Sequence, residues 1–388
     1  MNVLIVSSYF PPHVGGVEVV AQQQARSLAE AGHTVVVATS QTGGAPGRER
    51  QGGYDVVRLP VSNVLDRRTG VPFPLIGPAF LRGLKDLVAR CDVVHVHDVL
   101  YPPPQAAAWF ARRAGKPMYV TQHIEGVHHP NPLVLAAARL SARVAGGYLW
   151  RHARRVVAPS ALVADYLRAR GVPADKVVAA PNGIDTAAFA PGSAGLRGGE
   201  VRDRLGLPSG RPIALFAGRM VPRKGFEQLI AAADDAYDVV LAGTGHPGPL
   251  PAGVHWVGPV SRADLAVLYR LADVFVLPSV GDLFPLVVQE AMACGLPIVT
   301  TDDERYDAYG VDRRLFSLVA PEPEALRTAI RAVVADAGLR RRMGEHSRRL
   351  AVRHFDWRVN QQLLVNLYDR DVPAVERQES ACPSVSSF

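Results

Sequence analysis

Residues 274–300 read VFVLPSVGDLFPLVVQEAMACGLPIVT, and this stretch decides the fold. It contains a strand, a helix and a second strand, which we predict at residues 274–277, 286–293 and 298–300. Pro285 suits the first turn of the helix, and Gly295 suits its end. Because the apolar runs of both strands are unbroken, the unit is typical of a parallel sheet that helices cover on both faces.

The same alternation of strand and helix extends outward through most of the chain. We predict earlier strands at residues 3–7, 34–38, 56–59, 93–97, 118–121 and 156–158. Residues 181–210 are rich in Gly, Pro and Ala and predict a linker with one short helix at residues 201–205. The pattern then restarts, with strands predicted at residues 213–216, 239–242 and 255–257 and helices at residues 226–233 and 262–271. The fold class is therefore predicted to be α/β, with two Rossmann-like, doubly wound parallel-sheet domains that face each other across a cleft.

Charge and cysteine content narrow the classes of function. The formal net charge of +7 favours negatively charged partners such as an anionic membrane or a diphosphate. The basic residues are dispersed and not interleaved with aromatic residues, so we predict no nucleic-acid partner. The three cysteines are widely spaced, which argues against a disulfide framework or a zinc site and fits a reducing compartment. With no signal peptide and no membrane-spanning run, we expect a cytoplasmic protein, and peripheral contact with the inner membrane face stays open.

The loop after residue 277 carries an anion-binding pattern. The backbone N–H groups of Leu286 and Val287 open the predicted helix, where unpaired donors and the helix dipole attract phosphate. Asp282 precedes this helix start, and Glu290 lies about one and a half turns inside it. Carboxylates that flank a diphosphate can bind sugar hydroxyls, so the segment predicts a nucleotide-sugar site. Taken singly, each acid is equally well explained as a loop residue or a surface helix residue.

A second charged segment follows the predicted strand at residues 213–216. It reads FAGRMVPRKG, so Gly218 ends the strand and Arg219 and Lys224 lie five residues apart across a proline turn. A planar guanidinium and a mobile ammonium together suit a diphosphate clamp. Such cations stabilise the charge of a departing nucleotide diphosphate when no metal is bound. The alternative is a basic turn on the surface.

Glycines and histidines mark strand ends in the first half. Gly15 and Gly16 lie between a strand and a helix, where the backbone can approach a phosphate, although a tight turn is the better explanation of the glycines taken alone. His95 and His97 lie on one face of a strand, and we expect both to be packing residues. A zinc site built from His123, His128 and His129 matches no usual ligand spacing, and no metal is predicted.

Residues 282–295 resemble the acid-x7-acid motif of the retaining glycosyltransferases of family four, which belong to the large GT-B class. Glu290 and the run EAMACG that it begins match the family, whereas Asp282 stands where the family usually has Glu. The resemblance implies that the first acid contacts donor-sugar hydroxyls and that the second holds the ribose. The segment from Gly218 to Gly225 resembles the family's Gly-Arg…Glu-Lys-Gly motif, with Arg223 in place of the usual Glu.

Further matches extend the resemblance over residues 3–369. The family uses the second glycine of the pair, here Gly16, near the donor phosphate or the acceptor, and a strand-end histidine, here His123, at the donor sugar. Tyr9 and Gly15, from the same segment as Gly16, are assigned to acceptor binding. Residues 181–189 resemble the signature between the domains, and residues 354–357 resemble an element that returns to the first domain. Residues 302–306 read DDERY where the family usually has Gly-Gly-x-x-Glu, which leaves the donor sugar open.

The resemblance implies a division of the chain and a reaction. Residues 1–182 would bind the acceptor, residues 183–353 the nucleotide sugar, residues 354–374 would form a helix crossing back, and residues 375–388 a disordered tail. The expected reaction moves a hexosyl or N-acetylhexosaminyl group from a nucleotide diphosphate sugar to a natural-product, glycan or lipid acceptor, with retention of configuration and without a cofactor or metal. Arg219, Lys224, Asp282 and His123 are the expected catalytic residues, and Gly16, Gly218, Leu286, Val287 and Glu290 are expected to bind the donor.

Three other interpretations compete with this one. Residues 243–248 fit a G-x-G-x-x-G dinucleotide motif, but Pro247 prevents the helix that must follow, which argues against a nicotinamide enzyme. A nucleotide-sugar epimerase of similar architecture needs no acceptor, and a non-catalytic sugar-nucleotide-binding protein could tolerate Asp282. Incubation of a donor alone distinguishes the epimerase, because only that enzyme changes the sugar without a second substrate.

Overall fold

The structure is a computed structural model, and it describes residues 1–13, 15–41, 47–64, 73–123, 132–192, 195–282 and 284–371. The chain divides into two compact units. Unit 1 contains Met1–Asn182 and the chain from Asn360 onward, and unit 2 contains Gly183–Val359. Each unit is an α/β structure built around its own sheet.

The sheet of unit 1 is almost entirely parallel. Its strands are β1 (Asn2–Val6), β2 (Thr34–Ser40), β3 (Gly47–Gln51), β4 (Tyr54–Leu59), β7 (Val93–His97), β8 (Met118–Thr121), β9 (Arg155–Ala158) and β10 (Val177–Ala179), and β5 (Val61–Ser62) and β6 (Leu75–Ile76) form a separate short pair. The order of the sheet is β10-β9-β8-β7-β1-β2-β4-β3, and only β3 is antiparallel to its neighbour within the described chain. The strand order therefore reverses between β1 and β7.

Helices cover both faces of this sheet. They are α1 (Gly16–Glu30), α2 (Pro78–Ala89), α3 (Pro102–Arg113), α4 (Pro132–His152) and α5 (Ala161–Ala169). Along β1, Leu4 and Val6 pack into one hydrophobic cluster, whereas Val3 and Ile5 pack into another. Since successive side chains of a strand point to opposite faces, this division explains the unbroken apolar run at the start of the sequence.

Unit 2 repeats the design with a fully parallel sheet. Its strands are β11 (Ile213–Ala217), β12 (Asp238–Ala242), β13 (Val254–Gly258), β14 (Val274–Leu277), β15 (Ile298–Thr301) and β16 (Ser317–Val319), in the order β13-β12-β11-β14-β15-β16. Its helices are α6 (Gly195–Leu205), α7 (Phe226–Ala231), α8 (Arg262–Leu271), α9 (Leu286–Ala293), α10 (Pro323–Ala335) and α11 (Ala337–Phe355). The order reverses between β11 and β14, which places the two charged segments of the sequence after adjacent strands.

The two ends of unit 2 are joined to each other. The N–H of Ile184 donates to the carbonyl of Phe355 at 2.8 Å, and the N–H of Trp357 donates to the carbonyl of Ile184 at 3.1 Å. A Cβ on Gly183 would lie 2.3 Å from Cα of Trp357, so glycine is required for this approach. The segment at residues 181–189 and the segment at residues 354–357 therefore meet.

The last helix, α12 (Trp357–Asp371), contributes to the core of unit 1. Leu367 and Tyr368 pack with Val3, Ile5 and Tyr119 in one of the two clusters of that unit. The hydroxyl of Tyr119 donates to the carbonyl of Leu367 at 3.2 Å. The core of unit 1 is therefore completed by a part of the chain that follows unit 2.

The predicted fold class is confirmed, with two Rossmann-like parallel-sheet units of the GT-B type, and the cleft between them stays a prediction. Every predicted strand is present, and no bound differs by more than two residues. Three predictions were wrong in detail: Pro285 is the N-cap of α9 and not a first-turn residue, α6 begins at Gly195, and α7 ends at Ala231. Five strands of the described residues were missed: β3, β10, β16 and the short pair β5 and β6. The predicted tail at residues 375–388 lies outside the described residues.

A glycine contact between α11 and the turn after α9 tests the packing of unit 2. A Cβ on Gly344 would lie 2.1 Å from the carbonyl oxygen of Gly295, whereas a Cβ on Gly199, in α6, would meet nothing within 4 Å. We expect Gly344→Ala to lower the free energy of unfolding by about 1–3 kcal/mol through overpacking. The control Gly199→Ala should raise it by up to about 1 kcal/mol, since alanine is the better helix former. Urea unfolding of both variants checks the packing, and a Gly344→Ala protein as stable as the control would contradict it.

Candidate functional site

The loops after β11 and β14 are in close backbone contact at the carboxyl edge of the unit 2 sheet. Gly225 has a left-handed backbone, with φ +73°, and a Cβ there would lie 2.2 Å from the carbonyl oxygen of Pro278. The N–H of Val280 donates to the carbonyl of Arg223 at 2.9 Å. Only glycine fits both the backbone angle and the close approach, so the contact between the two loops requires glycine at position 225.

Lys224 and Asp282 form an ion pair across these two loops. Nζ of Lys224 lies 2.7 Å from Oδ2 of Asp282, and the two side chains are only 13% and 14% exposed. Arg223 donates to the other oxygen of the carboxylate at 3.1 Å. The sequence predicted a phosphate clamp at Lys224 and a sugar contact at Asp282, and the structure shows these residues bound to each other. Sequence reasoning missed Arg223 as a member of this cluster.

Arg219 supplies a second cation at the same edge. It follows Gly218, whose N–H donates to the carbonyl of Ala242 at 2.9 Å. A Cβ on Gly243 would lie 1.8 Å from the carbonyl oxygen of Gly218, so the loops after β11 and β12 are in backbone contact. Arg219 is exposed and forms no ion pair with a described residue. Its guanidinium is therefore a charge that an anionic ligand could neutralise.

Glu290 is a buried carboxylate and not the surface residue of the simpler interpretation. It is 4% exposed and lies on α9. Nη2 of Arg262 donates to its Oε1 at 2.8 Å, and the hydroxyl of Tyr269 lies 3.2 Å from its Oε2. Burial raises the pKa of Glu290 to about 7, while the charge of Arg262 and the hydrogen bond from Tyr269 act in the opposite direction. Arg262 and Tyr269 were missed, because nothing in their spacing from Glu290 signals the contact.

The start of α9 is where the sequence predicts anion binding, and that role stays a prediction. The hydrogen bonds of the helix begin with the N–H groups of Val288 and Gln289, which both donate to the carbonyl of Pro285. The N–H groups of Leu286 and Val287 precede this ladder, as the first N–H groups of a helix do. Phe284 adopts a left-handed backbone with φ 48°, and its ring packs against Tyr306, Tyr309, Phe316 and Phe355. This aromatic packing holds the residues that lead into the helix.

In unit 1, the glycine pair already lies beside a carboxylate. A Cβ on Gly15 would lie 2.2 Å from Oε2 of Glu18, and α1 begins at Gly16. Nδ1 of His13 lies 2.8 Å from the other oxygen of Glu18, and the ring of Tyr9 stacks on His13 with 4.5 Å between centroids. A phosphate at this helix start would have to displace or avoid the carboxylate of Glu18, which sequence reasoning overlooked. The roles given to Tyr9, Gly15 and Gly16 stay predictions.

His123 lies at the end of β8 and is half-buried. Its N–H donates to Oδ1 of Asp98 at 2.8 Å, and its Nε2 lies 2.8 Å from Nδ1 of His97. Both His95 and His97 are buried, with exposed fractions of 0% and 1%. Of the predicted site residues, His123, Tyr9, Gly15 and Gly16 lie in unit 1, and the others lie in unit 2.

Among the residues that the structure describes, no three side chains of His, Cys, Asp or Glu are grouped so that they could hold a metal. His128 and His129, named above in the zinc alternative, lie outside the described residues. No described helix is both long enough and apolar enough to cross a bilayer.

Two family models match the chain in succession. The model of Glycosyltransferase Family 4 matches residues 14–188, and the model of Glycosyl transferases group 1 matches residues 199–350. Among solved structures, sucrose-phosphate synthase from Thermosynechococcus elongatus superimposes with a TM-score of 0.75 at 24% identity, over 95% of this chain and 98% of that chain. The Anabaena protein HepE in complex with UDP-glucose gives a TM-score of 0.75 at 18% identity, over 95% of this chain and 100% of that chain. These structural similarities establish the fold.

Curated relatives show the family. The chain is 31% identical to a D-inositol 3-phosphate glycosyltransferase of Xylanimonas cellulosilytica, over 91% of both chains. It is 30% identical to a GDP-mannose-dependent alpha-mannosyltransferase of Mycolicibacterium smegmatis, over 78% of this chain and 80% of the relative. The chain therefore belongs to the group-one glycosyltransferases of family four and is a nucleotide-sugar-dependent glycosyltransferase with the GT-B fold.

Proposed function

We propose that this chain transfers a hexosyl or N-acetylhexosaminyl group from a nucleotide diphosphate sugar to an acceptor hydroxyl, with retention of configuration and without a metal ion. The observation that carries the proposal is the ion pair between Lys224 and Asp282, at the edge where β11 and β14 end. It joins a cation suited to the diphosphate and a carboxylate suited to the sugar, next to the start of α9.

The diphosphate is held by cations and by the helix start. An ammonium group has three N–H donors, so the bond from Lys224 to Asp282 leaves two for phosphate oxygens. Arg219 adds a planar guanidinium, and the first N–H groups of α9 add backbone donors. As the bond between the sugar and the diphosphate breaks, these groups stabilise the negative charge of the leaving nucleotide. The chain's own charges thus take the part that a metal ion has in other transferases.

Asp282 and Glu290 bind the two sugars of the donor. Asp282 accepts hydrogen bonds from hydroxyls of the transferred sugar while it orients Lys224. Glu290 accepts hydrogen bonds from the ribose hydroxyls and must be ionised to do so. Since burial raises the pKa of Glu290 to about 7, the pairing with Arg262 is what favours the ionised form near neutral pH. His123, in unit 1, orients the transferred sugar.

The names of the relatives suggest which substrates to try first. One relative is named for D-inositol 3-phosphate and another for GDP-mannose. The structural neighbour HepE was crystallised with UDP-glucose. We therefore propose that GDP- and UDP-sugars are the first donors to test, with hydroxylated ring compounds, both phosphorylated and neutral, as acceptors.

A donor screen tests the proposed function. UDP-, GDP-, ADP- and TDP-sugars are each titrated into the protein by calorimetry and then incubated with acceptors after treatment with EDTA. We expect one nucleotide class to bind and to support transfer without added metal, and the anomeric proton of the product should report retention in its NMR coupling constant. Binding of none of these donors, or turnover that returns only with a divalent cation, would contradict the proposal.

Removal of the ammonium of Lys224 should abolish most turnover without unfolding the protein. Arg223 still pairs with Asp282 in Lys224→Ala, so the half-buried carboxylate keeps one cation. We expect kcat to fall by about 10²–10³-fold, the usual effect of losing one group that stabilises leaving-group charge. Lys176→Ala is the matched control, because Lys176 lies in unit 1 and its ammonium donates to a backbone carbonyl, that of Arg151. Steady-state kinetics and circular dichroism of both variants decide the question, and near-normal turnover in Lys224→Ala would remove the clamp from the mechanism.

The pH dependence of donor binding should follow the ionisation of Glu290. The carboxylate binds the ribose and the neutral acid does not, so affinity is present above the pKa of Glu290 and is lost as the pH falls through it. Arg262→Gln removes the charge that lowers this pKa, so the acidic limb should move to higher pH, with affinity for the nucleoside diphosphate about tenfold weaker at pH 7.

The matched control for this variant is Arg211→Gln. Arg211 also pairs with a buried carboxylate, Asp238, but at the opposite end of the strands of the same sheet. Calorimetry between pH 6 and pH 9 should show an unchanged profile for Arg211→Gln. The same profile in Arg262→Gln as in the wild type would exclude the assigned role of Glu290.

A further inference from the structure

A continuous chain of hydrogen bonds runs through the interior of unit 1. Nε2 of His123 lies 2.8 Å from Nδ1 of His97, and Nε2 of His97 lies 2.8 Å from Oε1 of Gln24. Nε2 of Gln24 donates to the hydroxyl of Tyr368 at 2.8 Å, and that hydroxyl lies 2.5 Å from Nδ1 of His95. The side chains come from the segment that follows β8, from β7, and from α1 and α12. His123 is the half-buried end of this chain, and the other members are buried.

The amide of Gln24 decides which atoms donate and which accept along this chain of hydrogen bonds. Its oxygen can only accept, so Nε2 of His97 must carry a hydrogen. Burial holds the pKa of His97 well below its usual value and lowers the pKa of His123 to about 4, so both rings are neutral. Nδ1 of His97 is then an acceptor, and Nε2 of His123 must donate to it. The remaining nitrogen of His123, Nδ1, therefore carries a lone pair and has no hydrogen-bond partner among the described residues.

This chain of hydrogen bonds orients side chains and does not conduct protons. An amide accepts at its oxygen and donates from its nitrogen, so a proton that reaches one atom of Gln24 cannot leave from the other. A buried polar network also costs more than an apolar core of the same shape unless every member is satisfied. Here the members are linked end to end, and the linkage terminates at the residue expected to contact the donor sugar. Its arrangement is therefore suited to fixing the ring of His123.

We propose that Gln24 and Tyr368 are positioning residues of the transfer reaction, which act through His97 to hold His123 with a hydrogen-bond acceptor, Nδ1, directed at a hydroxyl of the transferred sugar. The inference rests on the proposed function, in which His123 orients that sugar. It also gives the last helix, α12, a part in the chemistry, because Tyr368 lies on it. Without the Tyr368 hydroxyl, the amide of Gln24 can rotate so that its oxygen and nitrogen exchange places. The tautomer of His97 is then no longer fixed.

Two neighbouring tyrosines provide a matched test. The rings of Tyr368 and Tyr119 lie 4.7 Å apart, and both residues are buried. The hydroxyl of Tyr119 donates to the backbone carbonyl of Leu367, which is not a member of the hydrogen-bond chain. We expect Tyr368→Phe to lower kcat/KM for the donor by about tenfold or more, as loss of a supporting hydrogen bond does at other sites. Tyr119→Phe should stay close to the wild type. In a His123→Ala background, Tyr368→Phe should have no further effect, and an equal effect in both backgrounds would overturn the proposal.

Nitrogen NMR of the histidine side chains tests the same inference without turnover. In the wild-type protein labelled with ¹⁵N-histidine, we expect His97 and His123 to be neutral and protonated at Nε2, and Tyr368→Phe should give a mixture of tautomers. Protonation at Nδ1 in the wild type would overturn the inference. If Tyr368→Phe does not fold, Gln24→Leu replaces it in both experiments. Normal turnover in His123→Ala would instead refute the proposed role of His123, and a failure to bind any sugar nucleotide would refute the proposed function.

Discussion

The carboxylate of Asp282 lies 2.7 Å from the ammonium of Lys224, and this contact joins loops that are 58 residues apart in sequence. It forms because β11 and β14 are neighbours in a parallel sheet, so their following loops leave the sheet at the same edge. Gly225 makes the approach close enough, since any side chain there would collide with the backbone at Pro278. A charge pair in this position keeps the ammonium in place before a ligand arrives. The proposed diphosphate site would therefore need little rearrangement when its ligand binds.

Both units place buried polar groups near the carboxyl ends of their strands, and the two solutions differ. In unit 2 the buried group is a charge, Glu290, which keeps an arginine and a tyrosine beside it. In unit 1 the buried groups are neutral histidines, which are satisfied by an amide and a tyrosine hydroxyl. The ionisation of a buried charge depends on pH and on its partner. A neutral hydrogen-bond network depends instead on the groups that fix which atoms donate and which accept. The difference matches the proposed tasks of the two units, anion binding in one and sugar orientation in the other.

The sequence predicts the alternation of strands and helices well, because strands buried on both faces must be apolar throughout. The missed strand β3 reads GRERQ and is mostly exposed at the edge of its sheet, so its composition gives no such signal. The charged segments at Lys224 and Asp282 could be found because each follows a strand. The partners of the site residues could not, since Arg262 lies 28 positions from Glu290 and Tyr368 lies 344 positions from Gln24. Contacts of that kind depend on the folded topology, and no regular spacing in the sequence indicates them.

In the proposed mechanism, Lys224, Arg219 and the start of α9 together bind the diphosphate of a sugar nucleotide. The decisive experiment is a crystal structure of the protein with the nucleoside diphosphate of its preferred donor. We expect phosphate oxygens within hydrogen-bond distance of Nζ of Lys224 and of the N–H groups of Leu286 and Val287, with the ribose at Glu290. A nucleotide bound elsewhere on the protein, with Lys224 still paired only to Asp282, would contradict it.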